Sequence, residues 1–305
     1  VSNVGTFMHI VAAGWAMTSL TDSPTLVGLV QTSWAVPGFV LALHAGAFAD
    51  MVERRRLIAI TQVLALVIAV GLGVLEMTGN LGVTTLLVGT FLESVALTIA
   101  APAFMALTPQ LVGTQFLSQA FGLDSVSRNI AQSVGPALAG AVIAFTNPGA
   151  VFVLNAVSFV GILIVVRKLP KFTTQVESAS KINHVIKDGI KHVVRTAQLR
   201  NIALRLALVL GATASLNSVM PVVAKESLNV GSSGFGILAG ALGVGSVLAV
   251  WLLPVLRKKL NAEMLAVVAS TVWAAATVGF AQSSTLFTAV PALLLCGATL
   301  MVLMN

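Results

Sequence analysis

Ten long apolar stretches, separated by short polar or glycine- and proline-containing segments, fill the chain almost from end to end. Each stretch is about 20 residues long, the length that an α-helix needs to cross a hydrocarbon layer about 30 Å thick. The apolar positions run on without a period of two, so the pattern predicts membrane helices and argues against a β-barrel. The predicted spans are residues 3–20, 25–49, 57–77, 82–107, 117–145, 149–168, 201–224, 232–255, 261–281 and 284–304.

The composition agrees with a membrane protein. Hydrophobic residues make up 57% of the chain and charged residues 9%, and the mean hydropathy is +0.99. A soluble domain carries about 25% charged residues, so this chain has too few charges to cover a surface in water. The single cysteine, Cys296, lies in an apolar run, which excludes an intrachain disulfide and a cysteine-based metal site. Residues 1–20 lack the basic start and cleavage site of a signal peptide.

One long polar connection, residues 169–200, divides the chain. It predicts an N-terminal six-helix bundle at residues 1–168 and a partial C-terminal bundle of about four helices at residues 201–305. Within this connection, apolar residues repeat at helical spacing and basic residues fall on the opposite face. This pattern predicts an amphipathic helix at the membrane surface, which is either a plain tether or a regulatory element. The apolar positions are Ile182, Val185, Ile186, Ile190, Val193 and Val194, and the basic positions are Lys187, Lys191 and Arg195. A six-plus-four count breaks the symmetry of many transporters, so we expect two further spans after residue 305 and a few residues before Val1.

The net charge of +7 and the isoelectric point of 10.2 come from three basic clusters, not from a basic surface. The clusters lie at residues 54–56, 167–205 and 257–259, and an even number of spans separates them. They can therefore all face one side of a membrane, and lysine and arginine concentrate in cytoplasmic loops. The distribution predicts that these loops are cytoplasmic and excludes nucleic-acid binding as the reason for the charge.

A loop motif joins the second and third spans: Gly46-Ala-Phe-Ala-Asp50-Met-Val-Glu-Arg54-Arg55-Arg56. Its residues suggest that Gly46 lets two helices approach, that Asp50 beside cations acts as a conformational latch, and that the arginines anchor the loop at anionic lipid. The motif resembles the loop signature of the major facilitator superfamily, although Met51 and Glu53 depart from it.

Further motifs extend this resemblance to nearly the whole chain. The pattern Gly135-Pro-Ala-Leu-Ala-Gly140, with Gly122 before it, resembles the fifth-helix signature of antiporters, where small residues permit close packing and proline adds a kink. Segments such as Leu20-Thr-Asp-Ser-Pro24 and Pro221-Val-Val-Ala224 resemble the branch that includes the enterobactin exporter and transmembrane secretion effectors. Ordinary tight packing is the alternative explanation of the glycine–proline element.

A few polar residues interrupt the spans and are candidates for a substrate or proton pathway. Charges are costly in lipid, so they face a cavity or each other. Asp124 and Arg128 are four residues apart and form either a structural pair or part of a site. His9 either lines a cavity or is packed and hydrogen-bonded. The candidates are His9, Glu93, Asp124, Arg128 and Asn217, with Asn155 a weaker one.

The four tryptophans could suggest an aromatic cage for a substrate, but packing or anchoring at the membrane interface explains them better. They are Trp15, Trp34, Trp251 and Trp273.

The resemblance implies an all-α membrane protein with the major facilitator fold, made of two helical bundles that rock about a midplane site lined by spans one, four, five and seven. It implies a monomer of the bacterial inner membrane that exports a small amphiphilic molecule, such as a siderophore or drug, in exchange for protons. No catalytic, metal-binding or cofactor-binding motif is present, so an enzyme is not expected. The alternatives are an importer or lipid flippase of the same fold, and a non-transporting receptor or assembly factor. Glu93 is the coupling candidate, because the fourth span lacks the usual arginine.

Overall fold

The computed structural model describes residues 2–169, 192 and 194–304, without the side chains of twelve helical residues, among them Asp50 and Ser133. In this part of the chain ten α-helices follow one another without a β-strand. They are α1 (Ser2–Leu20), α2 (Pro24–Met51), α3 (Arg54–Met77), α4 (Val83–Leu111), α5 (Leu117–Phe145), α6 (Pro148–Lys168), α7 (Ala197–Val222), α8 (Ser232–Lys259), α9 (Ala262–Ala281) and α10 (Leu286–Met304). Each helix coincides with one predicted span to within a few residues. A 3₁₀ turn, Thr114–Phe116, precedes α5, and a π-helical turn, Val223–Ser227, continues α7.

Local sequence explains several helix ends. The side chain of Asn147 accepts a hydrogen bond from the backbone N–H of Ala150, at 3.0 Å, and Pro148 opens α6. Asn261 caps α9 in the same way, at 2.8 Å from the N–H of Met264. Both caps satisfy amide groups that the first turn of a helix leaves without partners. Of the predicted amphipathic helix only His192, Val194 and Arg195 are described; they are helical, and the backbone N–H of Thr196 donates to the oxygen of His192 at 2.9 Å, just before α7 begins. The rest of that predicted helix lies outside the described residues.

Eight of the ten helices are long and apolar enough to cross a membrane, judged over the described residues. The two others are α1 and α5, which carry more polar side chains, including His9 in α1 and Asp124 and Arg128 in α5. Large apolar side chains point outward along the helices; Phe145 is 89% exposed and Trp251 is 80% exposed. Such an apolar exterior suits contact with lipid tails and would not suit water.

If each helix crosses the layer once, the loops fall into two sets. Loops 52–53, 112–116 and 260–261, together with the end of α6 and the start of α7, share the side that carries the arginine and lysine clusters, called here the basic-loop side. Loops 21–23, 78–82, 146–147, 228–231 and 282–285 share the opposite side.

The packing order places α4 behind α2. Helix α3 packs against α4 and α6, α2 packs against α4, and α1 contacts α5 and α6. Among the last four helices, α8 packs against α10, and α9 packs against α10. The first six helices meet the last four through α5 against α8 and through α1 and α2 against α7. A central interior therefore lies among α1, α2, α5, α7, α8 and α10.

Candidate functional site

A cavity of about 530 Å³ lies between the first six helices and the last four. Residues of α1, α2 and α5 line it on one side, and residues of α7, α8 and α10 line it on the other. Its volume falls within the range of about 300–1,000 Å³ that is typical of pockets for drug-sized ligands. The expected lining by spans one, four, five and seven is wrong for span four, because α4 packs behind α2 and contributes no lining residue.

The cavity wall is mostly apolar, and no described residue that lines it is charged. Four aromatic side chains contribute to the wall, from three different helices: Phe7, Trp34, Phe39 and Phe235. Trp15 lies behind Phe235, with the two rings stacked at 4.6 Å between their centroids. The prediction for the tryptophans therefore needs a correction at Trp34, which faces the interior because it lies on the cavity side of α2.

Three carboxamide side chains face the cavity: Gln31 in α2, Gln132 in α5 and Asn217 in α7. None of the three makes a side-chain hydrogen bond within the part of the chain that the structure describes. The hydroxyl groups of Thr213 and Ser246, which also line the cavity, already donate to backbone carbonyl oxygens. The three carboxamides therefore bring free donors and acceptors to this wall.

A second polar cluster is enclosed beside the cavity, between α1, α4 and α6. His9 and Glu93 are fully buried, and His9 Nδ1 lies 3.3 Å from Glu93 Oε2. Asn155 donates from Nδ2 to Glu93 Oε1 at 2.8 Å, and the Ser158 hydroxyl donates to the backbone oxygen of Asn155 at 2.7 Å. Gly5 makes room for this cluster, because a Cβ there would lie 2.5 Å from Asn155 Oδ1. Three candidates that the sequence names separately, His9, Glu93 and Asn155, are thus brought together.

The His9–Glu93 pair is close but poorly satisfied. Although His9 Nδ1 and Glu93 Oε2 are 3.3 Å apart, the two atoms are not aligned for a hydrogen bond. His9 Nε2 has no partner among the described residues. Burial of a charged carboxylate without a partner is costly, and a single proton shared by the acid and the base removes that cost. Buried polar groups left without hydrogen bonds are rare in folded proteins and often mark a functional site. The arrangement can therefore hold or release one proton.

Trp34 connects the two places. Its side chain lines the cavity, and its ring centroid lies 6.0 Å from that of His9. Its backbone oxygen accepts a hydrogen bond of 2.5 Å from the hydroxyl of Ser94, the residue after Glu93. His9 itself does not line the cavity; its ring packs against Phe152 at 4.9 Å between centroids. Trp34 therefore lies beside the cavity and His9 through its side chain and is joined to α4 through its backbone oxygen.

Close contacts join the two groups of helices near the opposite side. A Cβ at Gly140 in α5 would overlap the backbone of Gly236 in α8, so the two helix backbones touch there. Gly14 in α1 lies against Pro221 in α7, with 3.3 Å between the position of a Cβ on Gly14 and the Cγ of Pro221. Lys225 donates to the backbone oxygen of Thr18 and to Asp22, which also links α7 to the first helices.

On the basic-loop side, in contrast, parts of α5 and α7 are not covered by the other group of helices in the described structure. Residues 121–128 of α5 and 201–205 of α7 are all exposed there. Asp124 and Arg128 lie in this exposed part and form an ion pair of 2.9 Å, with side chains 50% and 58% exposed. Arg128 and Gln132 are one turn apart on α5, so the pair precedes the cavity along the same side of the helix. Of the two alternatives for this pair, a buried structural pair does not fit the described residues, because the described neighbouring helices do not cover this part of α5.

The glycines and proline of the fifth-helix motif have different surroundings. A Cβ at Gly135 would lie 2.7 Å from the Cβ of Phe7 in α1, and Gly140 meets α8 as described. Pro136 lines the cavity. Among the described residues nothing lies within 4 Å of a Cβ at Gly122, so close packing within this part of the chain does not explain that glycine.

The loop motif between α2 and α3 acts partly through backbone contacts. Arg55 donates to the backbone oxygens of Leu169, at 2.7 Å, and Arg167, at 2.9 Å, and so binds the end of α6. Arg54 donates to the backbone oxygen of Ala106 in α4, at 3.4 Å. The interpretation of Gly46 as a helix contact is wrong among the described residues, since nothing lies within 4 Å of a Cβ there. The side chain of Asp50 is outside the described part of the structure, so its role as a latch stays a prediction.

Some residues of the site escape sequence reasoning. Gln31 and Gln132 lie beside other polar residues of their helices, and their cavity position depends on helices that are distant in sequence. The pairing of Asp22 with Lys225 joins the loop before α2 to the π-helical end of α7 and has no local signal. No group of three or more His, Cys, Asp or Glu that could hold a metal ion occurs within the described residues.

Comparison with known proteins gives one consistent result. Residues 1–305 match the family of transmembrane secretion effectors, a branch of the major facilitator superfamily. The staphyloferrin A transporter of Staphylococcus aureus (strain NCTC 8325 / PS 47) is 24% identical over 257 residues, which cover 84% of this chain and 64% of that protein. An uncharacterised transporter of the same superfamily from Sinorhizobium fredii is 27% identical over 234 residues, which cover 75% of this chain and 58% of that protein. The chain thus spans less than two thirds of these relatives.

Solved structures show the same fold. A bacterial homologue of the human lysosomal transporter Spinster, in an inward-facing and unoccupied conformation, matches with a TM-score of 0.70 and 14% identity, over 99% of this chain and 72% of that one. A nucleoside transporter matches with a TM-score of 0.67 and 12% identity, over 99% of this chain and 79% of that one. At such identities the likeness concerns the fold alone.

Proposed function

The chain belongs to the transmembrane secretion effector family of the major facilitator superfamily, and from this premise we propose that it exports a small amphiphilic molecule in exchange for protons. It is a multi-pass membrane transporter of that superfamily, whose members are not enzymes. The observation that carries the proposal is the cavity between the first six and the last four helices. A cavity lined by two groups of helices, joined at one end only, is what alternating access requires.

In the proposed mechanism, α1–α6 and the partner bundle that includes α7–α10 rock about the cavity. The contacts of Gly140 with Gly236 and of Lys225 with Asp22 would hold the opposite side closed. We place the basic loops in the cytoplasm, since arginine and lysine favour that side. The cavity then faces the cytoplasm and can load a molecule for export. The inward-facing conformation of the Spinster homologue supports this assignment, because its fold is the same.

The proposed coupling site is the His9–Glu93 pair. It is enclosed, it holds an acid 3.3 Å from a base, and Trp34 links it to the cavity wall. Substrate that displaces Trp34 would change the distance between His9 and Glu93 and with it the preference for a shared proton. Proton release and substrate loading would then favour different conformations, which is the condition for exchange of one against the other.

Two other classes of function are alternatives, another transport activity on the same fold and a role without transport, and each makes different structural demands. Import on the same fold would need the cavity to load from the opposite side, and a lipid flippase would need a lateral opening for a headgroup. A receptor or assembly factor would need neither a coupled proton nor movement of its ligand. The glycine–proline element of α5 supports export, because it resembles the antiporter signature, and Gly135 allows α1 to approach α5 closely.

Inside-out and right-side-out membrane vesicles that contain the complete protein separate these functions. Each is given a mixture of small amphiphiles, with and without an imposed pH gradient, and mass spectrometry of the vesicle contents identifies what accumulates. We expect accumulation in inside-out vesicles with an acidic interior, and loss of accumulation in Glu93→Gln. Accumulation in right-side-out vesicles alone would indicate import, and binding without accumulation in either orientation would indicate a receptor.

A further inference from the structure

We propose that the cavity takes an uncharged amphiphile, with a flat apolar ring system and with amide- or hydroxyl-type groups that both donate and accept hydrogen bonds. The inference rests on the proposed function, because it names the class of molecule that would be carried. It comes from the chemistry of the wall and the positions of three side chains without partners.

The absence of charge from the described wall excludes a formal charge on the bound molecule. Of the nearest charged groups, His9 and Glu93 are enclosed behind Trp34 and lie 3.3 Å from each other, and neither lines the cavity. Asp124 and Arg128 neutralise each other at the exposed start of α5. An anion or cation in the cavity would therefore leave water without a counter-charge, which is strongly unfavourable in an apolar site. The same argument disfavours a charged lipid headgroup.

The carboxamides require a partner with mixed hydrogen-bonding groups. Gln31 and Gln132 come from the first six helices and Asn217 comes from the last four, and all three lack partners among the described residues. A carboxamide offers two N–H donors and one oxygen acceptor. A pure hydrocarbon would cover these groups and leave them unsatisfied, whereas an amide or hydroxyl can pair with them. Because the carboxamides belong to both groups of helices, one ligand can be held from both sides.

The aromatic residues provide surfaces for a flat ring. Trp34 and Phe39 lie on α2, Phe7 lies on α1, and Phe235 lies on α8. Trp15 stacks against Phe235 from behind and fixes the plane of its ring. Gly38 and Gly211 also line the cavity and leave space beside these rings. Stacked or edge-on contacts with such rings favour an aromatic ligand over a flexible chain of equal area.

A matched pair of probes tests the class directly. Fluorenylmethoxycarbonyl-glycine is an anion near neutral pH, and fluorenylmethoxycarbonyl-glycinamide has the same ring and carbamate but no charge. Cys296 is the only cysteine of residues 1–305 and is buried, so a maleimide that fluoresces on reaction reports thermal unfolding of the complete protein once any cysteine outside these residues is changed to serine. A compound that binds the folded state raises the unfolding temperature in proportion to its affinity.

We expect the glycinamide to raise the unfolding temperature and the anion to raise it less at equal concentration. Gln132→Met and Asn217→Leu keep the side-chain size and remove the amide, and each should weaken glycinamide binding about two- to tenfold. Gln198→Met, an exposed change at the start of α7, is the control and should leave binding unchanged. Equal binding of the two probes, no binding of the glycinamide, or unaltered binding in both amide variants would overturn the inference.

Transport of the same probes separates this inference from the proposed function. Binding of the glycinamide without gradient-dependent movement in vesicles of either orientation would contradict the exporter and leave the ligand class intact. Gradient-driven movement of the anion, with no movement of the glycinamide, would contradict the ligand class and leave the exporter intact.

Discussion

Lys225 at the π-helical end of α7 reaches Asp22 in the loop before α2, with 3.0 Å between Nζ and Oδ1. The lysine also donates to the backbone oxygen of Thr18, at the far end of α1. Asp22 is almost fully exposed, and exposed ion pairs are weak. A weak link between two groups of helices can hold a closed state without making it permanent.

Removal of this link should open the opposite side more often. A cysteine placed at Thr213 in a Cys296→Ser background lies in the cavity wall and reports access of an impermeant thiol reagent. Asp22→Asn or Lys225→Gln should speed its labelling from the side of loop 228–231 by less than about fivefold. High salt should have the same effect on the parent protein, because ions screen the pair. The exposed change Glu263→Gln is the control and should leave the labelling rate unchanged. If salt, Asp22→Asn and Lys225→Gln also leave the rate unchanged, the pair has no role in closure.

The contact between Gly140 and Gly236 should tolerate no side chain. Gly140→Ala places a Cβ against the backbone of α8, and backbone cannot move aside as a flexible side chain can. Overpacking of this kind costs about 1–3 kcal/mol. We expect a lower unfolding temperature, measured through Cys296, or a shift toward the state open on the opposite side. Gly122→Ala is the matched control on the same helix, because no atom of the described residues lies within 4 Å of a Cβ there. Equal behaviour of the two variants would show that the helices are not in contact at Gly140.

Replacement of Glu93 should separate coupling from binding. In Glu93→Gln the amide oxygen can still accept from Asn155, so the packing of the cluster is kept while the exchangeable proton is lost. Gradient-driven accumulation should fall on the order of 5–150-fold, the range of typical coupling between sites. Binding, measured by thermal shift, should persist. Full gradient-driven accumulation in Glu93→Gln, with Glu263→Gln as the control, would remove Glu93 from the mechanism.

The Asp124–Arg128 pair should contribute little to stability. Both side chains are at least half exposed, and pairs at this spacing on a helix are worth about 0.3–0.5 kcal/mol. Asp124→Asn, Arg128→Gln and the double change should insert and unfold almost as the parent does. If the carried molecule is uncharged, the two single changes should affect its accumulation alike. Opposite effects of the two changes would indicate a charged substrate that passes this part of α5.

The orientation of the loops follows from the basic clusters and can be checked directly. In a Cys296→Ser background, a cysteine at Ser232 should react with an impermeant thiol reagent added to intact cells. A cysteine at Asn261, on the basic-loop side, should react only after the membrane is permeabilised. The reverse pattern would place the basic loops outside.

The helices could be predicted closely because lipid leaves little choice. A continuous apolar run in lipid must satisfy its own backbone hydrogen bonds, so the run and the helix coincide. The polar residues Asn147 and Asn261 stand before two such runs and cap the helices that follow. The spacing of Asp124 and Arg128 likewise predicts their ion pair, which depends only on the geometry of one helix.

The site could be predicted only in part because it depends on distant packing. His9, Glu93 and Asn155 attract attention as polar groups in apolar runs, but nothing in the sequence says that α1, α4 and α6 bring them together. Gln31 and Gln132 give the same local signal as a buried glutamine such as Gln62, which lies in the core. Whether a polar side chain faces a cavity, a neighbouring helix or the exterior is decided by the other helices.

The three unpaired carboxamides also determine what occupies the cavity before a substrate arrives. A roomy cavity with free polar groups in its wall holds ordered water, and Gln31, Gln132 and Asn217 would each bind such water in the resting transporter. Substrate binding then displaces this water, and affinity is highest when the hydrogen-bonding groups of the substrate replace the hydrogen bonds that the water made. Affinity should therefore respond to water activity, so that an excluded osmolyte such as sucrose strengthens binding at constant substrate concentration.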